Sequence, residues 1–362
     1  MAGKSRKMFP GGNTSEGFYS YFNYILGDDA NRIFILKGGP GTGKSSIMKK
    51  VAEKLLELEY DIEFFHCASD SESIDAIASP ELKIAVLDGT APHVTDPKFP
   101  GAIDEIINLG DFWNSEEIVK NKDEIKKVIV RNSKFYKRAY KYLKAARIIQ
   151  EDIVWKNEEA LNVGQLSVEI QSLVDEILGD IDFTEFIGKE RHLFGSAYTP
   201  SGLVDYSGNL LQHIVDIYYI KGDFGTGRTK LLENVCKEAV KRGLDVEIFH
   251  TPLIPEQIET VILKDLNIAL TTSTVAQANN KKVIDLDKYL DEDKLKDYKD
   301  DIKEDKRIYE QLIKIAISNL NKAKKNHDEI EKYYAPYMDF SKSQKVIDDI
   351  ISKSLEFKNK EQ

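Results

Sequence analysis

Eight consecutive residues, Gly38-Gly39-Pro40-Gly41-Thr42-Gly43-Lys44-Ser45, fit the pattern GxxxxGK[ST]. Each residue type has a reason to be there. Glycines without a Cβ let backbone N–H groups turn inward around a phosphate. The start of a following helix adds a positive dipole end. The Lys44 ammonium suits β- and γ-phosphate oxygens, and the hydroxyl of Ser45 suits Mg²⁺; Ser46 follows on the same turn. A carboxylate at the end of a later apolar strand would complete such a site, and Asp88 closes "LKIAVLD". A glycine-rich turn without ligand and a turn-forming aspartate are the alternatives. Asp70 and His93, each just beyond an apolar strand, are candidates for activating a water molecule.

Such a loop works only between a strand and a helix. "RIFIL" (32–36) is short and apolar, rich in β-branched and aromatic residues, and ends at glycine, so a buried strand is predicted. "SSIMKKVAEKLLEL" carries apolar residues at 47, 48, 51, 52, 55, 56 and 58, a helical spacing. "IEFFH" and "KIAVL" read as further strands. The order strand–helix–strand–helix–strand predicts an α/β fold with a mainly parallel sheet covered by helices. Beyond Asp111 the pattern becomes long, charged and helical to about residue 178.

The same text recurs. "GDFGTGRTK" (222–230) lies 184 positions after the first loop, counted from Lys44 to Arg228. At that offset "DIEFFH" (61–66) falls on "DVEIFH" (245–250), and from Ile33 to Thr90 there are 17 identities in 58 gapless positions. "FPGGNTSEG" (9–17) matches "FGSAYTPSG" at offset 185, and "IINL" (106–109) matches "VIDL" at offset 177, a register that continues to Ile153/Ile330. The reading is a duplication with one copy in residues 1–185 and one in 186–362, each an α/β core with a helical appendage. A strand of one half completing the other half's sheet is compatible with this pattern. In the second copy Gly222, Gly225, Thr226, Gly227 and Thr229 keep the cradle. Arg228 replaces the lysine, and Thr272 stands where Asp88 would fall. A guanidinium meets phosphate in another geometry than an ammonium. The missing carboxylate argues against hydrolysis there. Ligand binding without turnover and a purely structural loop both remain open. The paired His66/His250 and Thr14/Thr199 read as structural and turn residues.

Residues 122–147 hold ten Lys/Arg against two acids, with Phe135, Tyr136, Tyr140 and Tyr142 interleaved; the aligned 299–324 hold seven against five. An anionic partner at this basic helix is one reading, with nucleic acid not favoured in a chain of net charge −10. A solvated helix with inward-packed tyrosines is the other. Arg131, Arg138 and Arg147 are conceivable arginine fingers. Two cysteines, no apolar run near the ~20 residues of a membrane span, and no apolar signal segment point to a cytoplasmic protein.

With "FPGGNTSEGFYSYF", "GGPGTGKSS" and "VLDGTAPHVTDPKFPGAIDEIINLGDFW" in view, the chain resembles tandem P-loop ATPases of low-GC Gram-positive bacteria over its full length. The resemblance implies a P-loop NTPase fold and binding of ATP with Mg²⁺, with Lys44, Ser45 and Asp88 carrying the nucleotide site. Arg228 and Thr272 depart from that pattern. An ATPase with an active first copy is the leading expectation. A P-loop kinase, suggested by "LDGTAP", and a nucleotide-dependent binding switch are the alternatives.

Overall fold

In the computed structural model, which describes residues 2–27, 29–91, 94–279 and 281–358, the chain forms two six-stranded sheets. The first uses β1 (Ser5–Met8), β4 (Arg32–Lys37), β5 (Ile62–Cys67), β6 (Asp70–Ser79), β7 (Ile84–Asp88) and β8 (Asp104–Asn108). A separate hairpin, β2 (Gly11–Thr14) and β3 (Gly17–Ser20), precedes β4. The second sheet uses β9 (Glu190–Phe194), β12 (Asp216–Lys221), β13 (Val246–His250), β14 (Ile258–Leu263), β15 (Ile268–Thr271) and β16 (Lys282–Asp285). Its companion hairpin is β10 (Ser196–Thr199) with β11 (Gly202–Asp205). The strand orders, β1-β5-β6-β7-β4-β8 and β9-β13-β14-β15-β12-β16, are the same.

The sheets are mixed. β6 lies antiparallel between β5 and β7, as β14 does between β13 and β15, while the other pairs are parallel. The predicted second crossover helix is therefore a strand. The stretch "DSESIDAIAS" follows β5 after a two-residue turn, too short for a helix to cross the sheet. Each initial strand stays in its own half, with β1 on β5 and β9 on β13.

Helices, not strands, are exchanged. The first half supplies α1 (Lys44–Glu57), α2 (Ser115–Val119), α3 (Lys122–Ala160) and α4 (Val163–Leu178). The second supplies α5 (Ser207–Leu210), α6 (Arg228–Lys241), α7 (Glu292–Leu295), α8 (Lys299–Glu331) and α9 (Ser343–Leu355). α3, 39 residues and so about 58 Å long, runs antiparallel to α8. Asn326 donates to Val128 O at one end, and Lys156 reaches Asp305 at the other. Small and branched residues (Ala139, Leu143, Ala146, Ala316, Leu320) let the two approach. Each long helix thus ends over the opposite half. α4 buries Leu166, Ile170, Leu173 and Val174 with Leu231, Leu232 and Val235 of α6. α9 buries Val346, Ile347 and Ile350 with Ile47, Met48 and Val51 of α1. Full burial of such a side chain stabilises on the order of 1.5–3 kcal/mol, so each helix belongs energetically to the half that did not encode it.

The inner faces of the two sheets meet in one core, where Ile35, Ala76 and Ala85 share a cluster with Phe249, Ile262 and Ala269. At its rim, Arg6 and Arg191 each bond both Glu63 and Glu247, at 2.6–3.1 Å. Burial opposes ionisation of both carboxyls, yet the two guanidiniums hold them below the usual carboxylate range. The ring has one Arg and one Glu from each half.

Candidate functional site

β4 lies between β7 and β8, and its carboxyl end feeds loop 38–43 into α1. Gly41 and Gly43 have φ of +69° and +85°, values that side chains rarely adopt. Thr42 Oγ1 donates to Gly39 O at 2.8 Å and closes the turn. Parallel pairing of Leu36 with Asp88 brings the end of β7 alongside. Lys44 Nζ donates to Gly38 O (3.0 Å) and Gly39 O (2.9 Å) and lies 3.5 Å from Asp88 Oδ2. The other Asp88 oxygen accepts from Thr90 N and Thr90 Oγ1 at 2.9 and 2.5 Å. Ser45, on the first turn of α1, accepts from Ile74 N at 3.2 Å, and Ser46 is exposed. Lys44 and Asp88 are thus brought together at one sheet edge, with Ser45 beside Lys44 in the chain. A hydroxyl and a carboxylate beside a lysine are hard-oxygen donors that fit Mg²⁺.

The candidate bases fare differently. Asp70 accepts from Ser73 Oγ (3.0 Å) and Glu72 N (3.2 Å), and Lys324 of α8 lies 3.3 Å away. It shapes a turn and pairs across the halves. His93 lies outside the described residues. His66 pairs through Nδ1 with Ser71 O at 3.1 Å; His250 Nε2 meets His192 Nδ1 at 2.9 Å. Burial, then the charge of His192, lowers the His250 pKa to about 3, so a buried neutral ring is its state. Thr14 and Thr199 donate to Gly17 O and Gly202 O, the turn role expected for both.

Loop 222–227 leads β12 into α6 with the same backbone. Gly225 and Gly227 have φ of +81° and +93°, and Thr226 Oγ1 donates to Asp223 O at 2.8 Å, four residues after Gly222. Arg228, unlike Lys44, forms no hydrogen bond or ion pair among the described residues; its guanidinium lies 5.6 Å from the Phe224 ring centroid. Burial lowers its pKa despite nearby Asp223 and Asp287. A cavity of 490 Å³ adjoins this loop, lined by Arg228, Thr229, Lys230, Gln257 and, from the other half, Gln150 and Leu166. Thr272 N and Oγ1 donate to Glu259 O at 2.9 and 3.3 Å. Burial, then neighbouring Asp205, pushes the Glu259 carboxyl up to about 8, against the Ser196 hydroxyl and the Arg228 charge.

Both loops are covered by exchanged helix ends, which the motif reading did not anticipate. A Cβ on Gly39 would lie 3.2 Å from the Tyr334 ring, and one on Gly41 3.3 Å from the Cβ of Glu331. On the other side, a Cβ on Gly225 would lie 2.6 Å from Val154 O, and Asn157 Nδ2 donates to Phe224 O at 2.7 Å. The offset of 177 pairs Val154 with Glu331 and Asn157 with Tyr334, so the aligned letters held the signal.

The basic helix divides its residues. Tyr136, Tyr140 and Tyr142 are half-buried against the cluster that α3 and α8 share, with the Tyr140 hydroxyl donating to Asn13 Oδ1 at 3.1 Å. Lys126, Lys134, Lys137, Lys141 and Lys144 are exposed on α3. Arg131 binds Asn326 and Glu329, Arg147 binds Glu16 and Glu151, and Arg138 stacks on Tyr142. Among the described residues no helix is long and apolar enough to cross a membrane.

Comparison of the chain with protein-family models, with curated proteins and with solved structures returned no match.

Proposed function

We propose that the chain is an ATP-binding P-loop NTPase, built as two copies of one core, that hydrolyses ATP at loop 38–45. One observation carries this reading: Lys44, on a glycine loop that opens a helix, stands 3.5 Å from Asp88, on the neighbouring parallel strand. That is the pairing a Mg²⁺-nucleotide would separate, with Lys44 moving to phosphate oxygens and Asp88 toward the metal. Ser45 and Asp88 would hold the ion, which when bound neutralises charge on the β- and γ-phosphate oxygens. The shared strand order of the two sheets supports the duplication.

The second copy is regulatory in this reading. It keeps a cradle and an unpaired cation beside a cavity, so it binds a phosphate group, but Thr272 offers no carboxylate for a metal. The exposed lysines of α3 are a contact for an anionic partner, and the two free cysteines suit a cytoplasmic setting.

Phosphate release from ATP without an added acceptor, with nucleotide stoichiometry, tests the proposal. Lys44→Ala should lower turnover by about 10²–10³-fold, as expected for a lost transition-state donor. Arg228→Ala should keep it within about threefold of wild type. Equal loss in both variants would overturn the division into an active and a regulatory copy. Transfer of the γ-phosphate only to a small acceptor would mark a kinase.

A further inference from the structure

Asp88 is followed by Gly89, where many P-loop ATPases place a glutamate that activates water. The first site therefore has no base on its own strand. Asp70 is held by Lys324, Ser73 and the backbone of Glu72. A glutamate approaches the loop from elsewhere, through its Cβ and backbone. α8 starts over the second sheet, crosses to the first, and ends at Glu331. A Cβ on Gly41 would lie 3.3 Å from the Glu331 Cβ and 3.4 Å from its carbonyl oxygen. Among the described residues the Glu331 carboxylate accepts no hydrogen bond. Among the described residues its one titratable neighbour within 4 Å is His327, whose Nδ1 lies 3.7 Å away one turn back. The side chain is 42% exposed, so its oxygens are free to turn toward the loop and to meet water.

We infer that Glu331 is the general base of the first site, supplied by the opposite half; this rests on the hydrolase reading above. Its carboxylate takes a proton from a water molecule as the water oxygen bonds to the γ-phosphorus of ATP. The bond from that phosphorus to the β–γ bridging oxygen breaks, and the electron pair leaves with ADP. Inorganic phosphate is the second product, and Glu331 passes its proton to phosphate or solvent.

The second half supplies an internal control. At offset 177 the residue matching Glu331 is Val154, which has no proton acceptor and presses its backbone on Gly225. The loop that lost its lysine and its strand-end carboxylate is thus met by a helix end without a base. The loop that kept both is met by a glutamate. The three differences fall on the same side.

ATP turnover and ATP binding, measured on the full chain, test the assignment. Glu331→Gln should lower kcat by about 10²–10⁴-fold, the usual contribution of a positioned base, while ATP affinity stays within about threefold. Glu331→Asp should recover part of the loss. Glu329→Gln, on the same helix end but facing Arg131, should turn over as wild type. Glu331→Gln with near-normal kcat would overturn the proposal while leaving Lys44 and the hydrolase reading intact. Loss of ATP binding in Glu331→Gln, or equal loss in Glu329→Gln, would make the helix end a strut and overturn it too. A wild-type chain that binds no ATP, or whose turnover survives Lys44→Ala, would bring down the hydrolase reading and this inference together.

Discussion

Loops 38–45 and 222–229 share a backbone and differ in what surrounds it. Both have two glycines at positive φ and a threonine bonded back across the turn. In the first, the cation is folded onto its own loop and a strand-end carboxylate. In the second, Arg228 has neither contact, and a cavity opens beside it. Glycine and threonine thus hold the turn in one shape, whereas the groups it presents depend on a few outward residues that differ between the two loops.

The ring of Arg6, Arg191, Glu63 and Glu247 gives the sharpest test of what the halves share. Removing one carboxylate leaves two half-buried guanidiniums sharing a single carboxylate, with Tyr24 O and Ile25 O as further acceptors for Arg191 alone. Glu63→Ala and Glu247→Ala should each cost about 3–5 kcal/mol in urea unfolding. Lys264 also reaches Glu247, at 2.7 Å, so a large difference between the two variants would measure what that extra contact adds to one side of the ring. Next come the loop glycines. Gly225→Ala adds a clash with the Val154 backbone to the left-handed strain, whereas Gly41→Ala meets only two side-chain carbons and a carbonyl oxygen at ordinary or slightly tight range. Thermal unfolding should show about 1–2 kcal/mol lost for Gly41→Ala from backbone strain. Gly225→Ala should lose a further ~1–3 kcal/mol from overpacking. Equal losses would mean that α3 yields easily over the second loop.

A further effect concerns pH. The Glu259 carboxyl, pushed up to about 8 in the fold, is protonated there while the unfolded chain has already ionised. Its contribution is present below the unfolded value near 4.5 and is lost as pH rises toward 8. Glu259→Gln should therefore flatten the fall in stability across that window, measured by urea unfolding at several pH values. His250, lowered to about 3, works the other way: stability drops as pH falls from 6.5, where the unfolded ring takes up a proton first. An unchanged slope in Glu259→Gln would place the titration elsewhere.

Much of the architecture was legible because local rules govern it. The run at 32–36 and the helical spacing after Lys44 each depend on neighbouring residues, and β4 and α1 follow from them; the constant offset agrees with the shared strand order of the two sheets. β6 was not legible as a strand, because polar residues fill its first half and only "IDAIA" is apolar enough to signal burial. Its antiparallel placement depends on the short turn after Cys67. The exchange of α4 and α9 was out of reach for another reason. An amphipathic helix shows which face it buries, not which of two similar surfaces receives it. The meeting of Lys44 and Asp88 at one sheet edge was expected from type and spacing. Glu331 was not, since a glutamate in a charged helix resembles its neighbours until a glycine 290 positions earlier is seen beneath it. The ring was half visible: Glu63 and Glu247 sit in the most similar stretch of the two halves, while Arg6 and Arg191 lie just before the upstream match.

The exchanged α9 also sets a schedule for biosynthesis. A nascent chain usually folds its first domain while later ones are still being made. Here Ile47, Met48 and Val51 of α1 receive their outer layer from Val346, Ile347 and Ile350. The first sheet to leave the ribosome must keep an apolar flank open until nearly the last residues of this sequence have emerged. The second half, by contrast, finds α4 already waiting. Synthesis therefore exposes the half with the intact loop for longest, and puts its completion last.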